Sequence, residues 1–409
     1  MNKTFWILPI IALGLVSQIA YAGSAPQAWN LGAWSYSTSY PTNISSQSCS
    51  ISNSYIYCVG GFNGTAITNA TYFAQTTSSG IGNWTQTTSY PFYIVNGACT
   101  TYQNYIYCVG GVSTGETAIN DVFYAPINAS GIGNWTQTTG YPFPVSEQSC
   151  STHGGNVYCV GGSNNYNNTD EVYFAGLSSK GIGDWSTTDP YPINVDSESC
   201  VVNSTYLYCL GGIGGLSPFR FLNESYYTML TSSGVSPWLT TTQYPNLTSD
   251  QSCAASNGYI YCTGGYWANI TANYTSIYSA ATYYAPLSAS GIGPWLPTTS
   301  YPSPSDGASC NSYGNNVYCI GGAYADINTN ISIIAPVINP NLPSSTTVQG
   351  TTITQVSGNS SQTATVTVQQ QPAQGNGLVY LIIIFLVLLV LLMLLALYLF
   401  NKNRPASKR

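Results

Sequence analysis

One pattern occurs six times in this chain: a Cys, eight residues, a second Cys, one residue and a Gly-Gly pair. A Tyr precedes every second Cys, and a Trp lies fifteen residues before every first Cys. Short segments rich in Tyr, Val, Ile and Thr, separated by turn residues, are typical of β-strands. We name them a (around the first Cys), b (ending at Gly-Gly), c (72–74 and its equivalents) and d (from the Trp to a Tyr-Pro pair). Four strands in a unit of about 50 residues are typical of a propeller blade, so residues 30–338 are predicted to form an all-β, six-bladed β-propeller.

The two ends of the repeat array are out of phase. Trp34 comes before the first a segment, and no Trp follows the last c segment at 331–338. Residues 34–40 are therefore predicted to supply strand d of the last blade. This arrangement would join the chain ends and remove an exposed sheet edge.

The cysteine spacing predicts a disulfide within each blade. Asn257-Gly258 is a strong two-residue hairpin turn, and it places Cys253 opposite Cys262 in a non-hydrogen-bonded pair. Such pairs have Cα atoms about 4.5 Å apart, which suits a disulfide and an oxidising compartment. Six pairs of buried thiols are the alternative. The predicted bridges are Cys49–Cys58, Cys99–Cys108, Cys150–Cys159, Cys200–Cys209, Cys253–Cys262 and Cys310–Cys319.

The pattern resembles the kelch repeat over roughly the whole of residues 30–338. The matching features are the aromatic residue and Gly-Gly of segment b, the Tyr of segment c and the Trp that follows. The form Ser-Gly-Ile-Gly-x-Trp at 79–84 and 130–135 is similar to extracellular kelch-type propellers of microbes. The Arg that often precedes strand a in kelch repeats is absent here. The resemblance implies a fold and leaves function open, because kelch propellers include enzymes and binding modules.

Both ends of the chain predict membrane targeting. Residues 1–22 have the pattern of a signal peptide, with Lys3, an apolar stretch and Ala20-Tyr21-Ala22 as a cleavage site; an uncleaved anchor is the alternative. Residues 378–400 contain neither charge nor proline, which predicts one transmembrane helix. Positive residues follow that helix, so residues 401–409 are predicted to be cytoplasmic and the propeller extracellular at the cell membrane.

The segment 339–377 has no charged residue and is rich in Thr, Ser, Gln, Val and Pro. It is interpreted as a stalk between propeller and membrane, because it could not form a core. The Thr-Val alternation at 363–368 could instead form one extra strand.

Composition excludes several functions. Charged residues make up 5% of the chain, and Lys180 and Arg220 are the only Lys or Arg between Lys3 and the predicted tail, so a nucleic-acid partner is excluded. His153 is the only His, so a metal site built from histidines and the two-His site of kelch-like copper oxidases are excluded. A sialidase-like Arg cluster is also impossible. No catalytic residue or resident cofactor is therefore predicted.

Length variation is confined to the loop between strands b and c. It spans 12 or 13 residues in four blades, 15 in blade four and 19 in blade five. Because strands alternate in direction, the b–c and d–a loops should share one face, where recognition is usual. The candidate ligand-binding residues of the two longest loops are Phe219, Arg220, Phe221, Tyr266, Trp267, Tyr274 and Tyr278. Packing of the long loops against themselves is the alternative.

Acidic residues precede strand a in several blades, which predicts an acidic mouth on the central channel. Ser46 and Asn96 hold similar positions in the first two blades. Such a mouth could hold Ca²⁺ or a cationic ligand, although no spacing forms a compact calcium loop. Solvated loop acids are the alternative. These candidates are Glu147, Asp196, Glu198, Asp250 and Asp306.

Together these features favour a single-pass cell-surface protein that recognises glycans or another surface protein. Fourteen Asn-x-Ser/Thr sequons outside the leader favour a glycoprotein. One alternative is a carbohydrate-active enzyme, similar to kelch-type sugar epimerases, that uses the mouth carboxylates. A structural component of the cell envelope is another.

Overall fold

The computed structural model describes residues 29–115, 117–165, 167–215, 219–269, 275–325 and 327–339, and the strands at 353–357 and 360–364. All regular elements in this part are β-strands, which confirms the all-β prediction. The predicted signal peptide, transmembrane helix and cytoplasmic tail lie outside the described residues. Within these ranges, no helix has the length and apolar character needed to span a bilayer.

Six sheets share one plan, in which antiparallel strands a, b and c lie side by side and strand c also pairs with two short strands, d1 and d2. Strands a are Ser48–Ser52, Ala98–Tyr102, Ser149–His153, Ser199–Asn203, Ser249–Ser256 and Ser309–Tyr313. Strands b are Tyr55–Val59, Tyr105–Val109, Asn156–Val160, Tyr206–Leu210, Tyr259–Asn269 and Asn316–Ile320. Strands c are Thr71–Thr77, Val122–Asn128, Val172–Ser178, Ser225–Thr231, Thr282–Ser288 and Ser332–Ile338.

The short strands complete each sheet on its outer side. Strands d1 are Gly80–Ile81, Gly131–Ile132, Gly181–Ile182, Gly234–Val235, Gly291–Ile292 and, for the sixth sheet, Asn30–Leu31. Strands d2 are Thr85–Gln86, Thr136–Gln137, Ser186–Thr187, Leu239–Thr240, Leu296–Pro297 and, for the sixth sheet, Ser35–Tyr36. The N-terminal segment therefore pairs with the last c strand, as the repeat phase predicts.

The six sheets form a closed ring. Each strand a contacts strand a of the next sheet, and the strand of the sixth sheet contacts that of the first. The result is a β-propeller-like fold, and we call the sheets blades one to six in chain order. Six apolar clusters fill the spaces between neighbouring blades; one contains Tyr57 and Phe73 of blade one with Ile106 and Ala125 of blade two.

The register of each hairpin confirms all six predicted disulfides. Cys253 is the direct partner of Cys262, and the other five pairs repeat this register. The Cα atoms of each pair are 4.0–4.1 Å apart. Asn257 and Gly258 have φ values of 52° and 76°, as the tight hairpin turn between strands a and b requires.

Hydrogen bonds from aromatic side chains join each blade to the next. The Tyr before each second Cys donates its hydroxyl to a backbone carbonyl of the following blade, over 2.6–3.0 Å. The repeated Trp donates its Nε1–H to a carbonyl of the preceding blade, over 3.0–3.3 Å. Each Trp also meets a buried Tyr edge to face, with ring centroids 4.8–5.3 Å apart. The residues that define the repeat are therefore those that hold the ring together.

The Gly-Gly pair allows close approach between blades. Gly60 has φ of 64°, and a Cβ at this position would collide with the carbonyl oxygen of Ile94 in the next blade. A side chain is therefore excluded there by backbone conformation and by space.

Further short strands extend blades four to six beyond the shared plan. Val195–Asp196, Ile213–Gly214 and Arg220–Phe221 form a small sheet, Thr275–Tyr278 extends strand b of blade five, and Ala323–Tyr324 pairs with Ile327–Asn328. In a separate compact unit, Ile353–Ser357 pairs with Ser360–Ala364. This hairpin lies in the predicted stalk and overlaps the suggested extra strand at 363–368 only at its first two residues.

Candidate functional site

The d–a and b–c connections meet at one end of the ring, as the strand directions predict. Backbone bridges link them in several blades, including Ser45 with Phe62 and Ser146 with Ser163. We call this end the mouth face. The candidate residues that the structure describes, in both groups, lie on it or directly beneath it.

Six residues form a closed hydrogen-bonded ring around the axis at the mouth. Each has a positive φ of 53–61° and donates its backbone N–H to the carbonyl oxygen of the equivalent residue in the preceding blade, over 2.8–3.2 Å. The left-handed conformation turns the chain so that each N–H points along the ring. The ring residues are Ser46, Asn96, Glu147, Ser197, Asp250 and Gly307.

This ring corrects the predicted equivalences among the acidic residues. Glu147 and Asp250 do hold the position of Ser46 and Asn96. In blade four that position belongs to Ser197, with Asp196 and Glu198 on either side of it. Every ring residue lies three positions before the first Cys of its blade, so a count from the Cys assigns Ser197, and not Asp196 or Glu198, to the ring.

The ring residues and those that follow them line a cavity of about 150 Å³ on the axis. Glu147 lies in this lining and accepts a hydrogen bond from the Asn96 side chain over 2.7 Å. Burial, with smaller contributions from Asp250 and Asp196, raises the pKa of Glu147 to about 8. No described Lys, Arg or His belongs to the lining, so the cavity carries acids without a basic counter-charge.

The neighbouring acids behave in the same way. Burial and then Asp250 raise the pKa of Asp196 to about 7, and burial raises the pKa of Asp250 to about 6 although Ser249 and Ser197 donate to it. Asp196 and Glu198 are only 7% and 6% exposed. The interpretation of these two residues as solvated loop acids is therefore wrong: the extra strand at Val195–Asp196 and the turn into strand a bury them.

Asp196 and Asp306 each lie one residue before a ring position, and neither belongs to the cavity lining. Their backbones pair with Ile213 and Ala323 respectively. In the part of the chain that the structure describes, no three His, Cys, Asp or Glu side chains are grouped closely enough to hold a metal ion. The described residues therefore provide no such group for the Ca²⁺ suggested at the acidic mouth.

A row of four aromatic rings crosses the mouth face from blade four to blade six. Phe221 meets Tyr266 edge to face at 5.4 Å, Tyr266 stacks on Tyr278 at 5.8 Å, and Tyr278 meets Tyr324 edge to face at 5.5 Å between ring centroids. Tyr266 and Tyr278 are direct cross-strand partners, so the extended hairpin of blade five sets their stacking. We call these four side chains the aromatic row.

The aromatic row adjoins the acidic mouth. Burial is the main cause that raises the pKa of Tyr266 to about 12, and the charges of Asp250, Asp306 and Glu147 add to it. A hydrogen bond with the Ser249 side chain lowers this pKa. Tyr266 and Tyr278 also line a cavity of about 150 Å³ between blades four and five, whose wall includes Trp267, Leu247 and Ile277. Aromatic, apolar and carboxyl groups therefore meet on one sector of the face.

The remaining predicted contact residues differ in their roles. Phe219 is 49% exposed at the edge of the sector. Arg220 forms an ion pair with Glu224 at 2.6 Å, so its charge is partly neutralised within its own loop. Tyr274 lies outside the described residues, as do the side chains of the two blade-five sequon asparagines.

Sequence reasoning missed several apolar residues in the same sector. Tyr324 is 49% exposed and Ile327 69% exposed, both in blade six, whose b–c loop has an ordinary length. Leu247 and Ile277 are also exposed, at 43% and 41%. Loop length did not point to Tyr324, Ile327 or Leu247, whereas Ile277 lies in the longest b–c loop. Apolar residues between turn formers could have identified all four.

Comparison with known proteins gives a fold and no family. No family model matches the chain, and no curated protein matches it. The solved structure of YjhT is similar, with a TM-score of 0.61 and 14% sequence identity, over 80% of this chain and 99% of that one. At this identity the similarity shows a shared β-propeller-like architecture only.

Proposed function

We propose that this chain is a membrane-anchored surface protein whose kelch-like, six-bladed propeller recognises a glycan or another surface protein. The contact surface is the sector of the mouth face formed by blades four to six. The observation that carries this proposal is the aromatic row, which lies beside a cavity and among exposed apolar side chains.

The chemistry of this sector suits a polar ligand with apolar faces. Tyr rings offer flat surfaces for the C–H faces of a sugar and hydroxyl groups for its polar edges. The adjoining carboxyls, with pKa values raised to about 6–8 at Asp250, Asp196 and Glu147, can donate as well as accept hydrogen bonds when protonated. A rigid ring presents these groups with little loss of conformational entropy on binding.

The pattern of the chain ends and the cysteines support the proposed location. Six disulfides fit an oxidising compartment. We propose that residues 1–22 direct export, that 339–377 form the stalk and that 378–400 anchor the protein with its tail in the cytoplasm. Glycans at exposed sequons such as Asn83 and Asn134 would hydrate a surface with few charges.

A glycan array probed with the secreted part, residues 23–377, tests the proposal. Tyr324→Ala should weaken binding about tenfold, because truncating an aromatic contact costs about 1–2 kcal/mol. Tyr93→Ala is the matched control on the same face in another sector, at 50% exposure, and Tyr313→Ala is a control at an a–b turn on the opposite face, at 41%. Equal losses in all three variants, or no loss for Tyr324→Ala, would contradict the assigned surface.

A second candidate function is sugar isomerisation at the axial cavity. Its specific support is that Glu147 lines this cavity and has a pKa raised to about 8, in the range where a carboxyl can exchange protons near neutral pH. Glu147→Gln should then abolish interconversion of sugar anomers or epimers, followed by NMR. Unchanged interconversion in that variant would exclude the role.

A further inference from the structure

Three glutamines beneath the mouth perform the same task in three blades. Gln47, Gln148 and Gln251 each follow a ring residue and are 4–6% exposed. Each donates its Nε2–H over 2.8 Å to the carbonyl oxygen of the last residue of strand b in the preceding blade. These acceptors are Ile320, Val109 and Leu210.

Blade four has Glu198 at this position, and the equivalent carbonyl belongs to Val160, the last residue of strand b in blade three. The glycine that follows strand b in every blade locates the side chains. A Cβ placed on Gly110 would lie 3.1 Å from Nε2 of Gln148, and one placed on Gly161 would lie 3.2 Å from Oε1 of Glu198. An oxygen of Glu198 therefore occupies the place of the donating amide nitrogen.

A carboxylate in that place would set two acceptors against each other. An ionised carboxylate has no proton to donate, and a backbone carbonyl can only accept. Glu198 is 6% exposed, so water cannot readily separate the two oxygens. A glutamine resolves the conflict with its N–H, and a protonated glutamic acid resolves it with its O–H.

The charged and titratable groups around Glu198 favour the neutral form. Asp196 and Glu147 are both acids, and Tyr141 and Tyr191 are buried tyrosines close enough to be affected by its charge. None of these four supplies a positive charge. Burial, followed by the effect of these acids, raises the pKa of Glu198 well above its ordinary value, although two backbone N–H groups act against the shift.

We propose that Glu198 is a carboxylic acid in the folded protein and donates its O–H to the Val160 carbonyl, as a pH-sensitive lock between blades three and four. The other three locks are amides and do not titrate. Loss of the proton turns the donor into a second acceptor, so the contact between blades three and four weakens while those made by the glutamines persist.

The direction of the pH effect follows from proton linkage. The unfolded chain releases the proton of Glu198 near the ordinary carboxyl pKa of 4.5, whereas the folded protein keeps it to higher pH. Unfolding therefore releases a proton above pH 4.5, and stability falls as pH rises through that window. Below pH 4.5 Glu198 is protonated in the folded and the unfolded protein and does not lower the free energy of unfolding.

Unfolding of the full-length protein in detergent, followed between pH 4 and pH 8, tests the lock. Glu198→Gln should leave the melting temperature unchanged at pH 4 and raise it by about 2–4 °C at pH 8. Gln148→Glu should place a second titrating carboxyl, between blades two and three. The melting temperature of this variant should equal that of wild type at pH 4 and fall below it at pH 8. Asp184→Asn, at an exposed acid, should follow the wild-type profile.

The difference infrared spectrum between wild type and Glu198→Gln at pH 6 provides a direct readout. Wild type should show one additional protonated-carboxyl band, whichever state the other mouth acids adopt. Absence of that band, parallel pH profiles for wild type and Glu198→Gln, or failure of Glu198→Gln to fold would each overturn the proposal, because glutamine makes the same bond in three other blades.

Discussion

The contacts between blades repeat around the ring, whereas the residues of the mouth face differ from blade to blade. Between blades, the Tyr hydroxyl bond, the Trp Nε1 bond and the edge-to-face Tyr–Trp pair each recur in all six places. At the mouth, the six ring positions share a backbone conformation and carry Ser, Asn, Glu, Ser, Asp and Gly. The repeated residues stabilise the ring, and the residues that vary give one sector of the mouth face its own chemistry.

The comparison also separates the two kinds of polar group. The Tyr before each second Cys and the repeated Trp donate to backbone carbonyls between blades, whereas the mouth collects buried carboxyls, of which Asp250 and Asp196 raise the pKa of Glu147. Burial of several acids without cations reduces stability unless they are protonated or bound to something.

The largest effect is expected from removing a repeated aromatic contact. Tyr141 is 1% exposed and meets Trp185 at 4.9 Å, so Tyr141→Ala should lower the free energy of unfolding by about 3–5 kcal/mol. Guanidinium unfolding measures it, with Tyr36→Ala, at 70% exposure, as the control. A loss below 1 kcal/mol in Tyr141→Ala would mean that the repeated pairs do not hold the ring.

The mouth should make the protein less stable as pH rises. The pKa values of Glu147, Asp196 and Asp250 are raised to about 8, 7 and 6 from ordinary values of 4.5, 3.8 and 3.8, so unfolding releases protons between about pH 4 and pH 8. The free energy of unfolding should therefore decrease as pH rises across this range. The variant with amides at all three positions should show a flatter profile; one as steep as wild type would refute the assignment.

Each disulfide should contribute similarly, because all six close hairpins of one register. Cys99→Ala with Cys108→Ala should lower the free energy of unfolding by about 2–3 kcal/mol. The corresponding pair in blade five, Cys253 and Cys262, provides the comparison. A difference of more than 1 kcal/mol between the two double variants would show that the extended blade-five hairpin changes the contribution of its bridge.

The smallest of these effects concerns a single hydroxyl. Tyr208 donates to the carbonyl of Ser288 over 2.8 Å, so Tyr208→Phe should cost about 1 kcal/mol in denaturant unfolding. Tyr206→Phe, at a neighbouring ring that lacks this inter-blade bond, should be within experimental error of wild type. Equal losses would indicate that the inter-blade bond contributes little.

Much of the fold could be predicted because its determinants are local and repeated. The two-residue turn at Asn257-Gly258 sets the hairpin register, and that register brings Cys253 to Cys262. The missing Trp after the last c segment predicted that residues around Trp34 complete blade six, and Ser35–Tyr36 does so. These inferences needed only strand periodicity and the phase of the repeat.

The site could be predicted only in part, because it depends on which residues face one another across blades. Loop length drew attention to Tyr266 and Tyr278 but gave no reason to include Tyr324, which reaches them from blade six. The acids before strand a were found, but their burial depends on the positive φ of the ring and on an extra strand at Val195–Asp196. The ring position has a constant spacing of three residues to the first Cys, but that spacing does not reveal the positive φ or the extra strand.

Replacing the blade-five loop tests the division between scaffold and site most directly. Residues 266–281 would be exchanged for 163–171, the shorter equivalent in blade three, and unfolding and glycan-array binding measured on the same preparation. We expect cooperative unfolding to persist and binding to be lost. Retained binding would contradict the assignment of the contact surface, and loss of cooperative unfolding would show that the loop belongs to the scaffold.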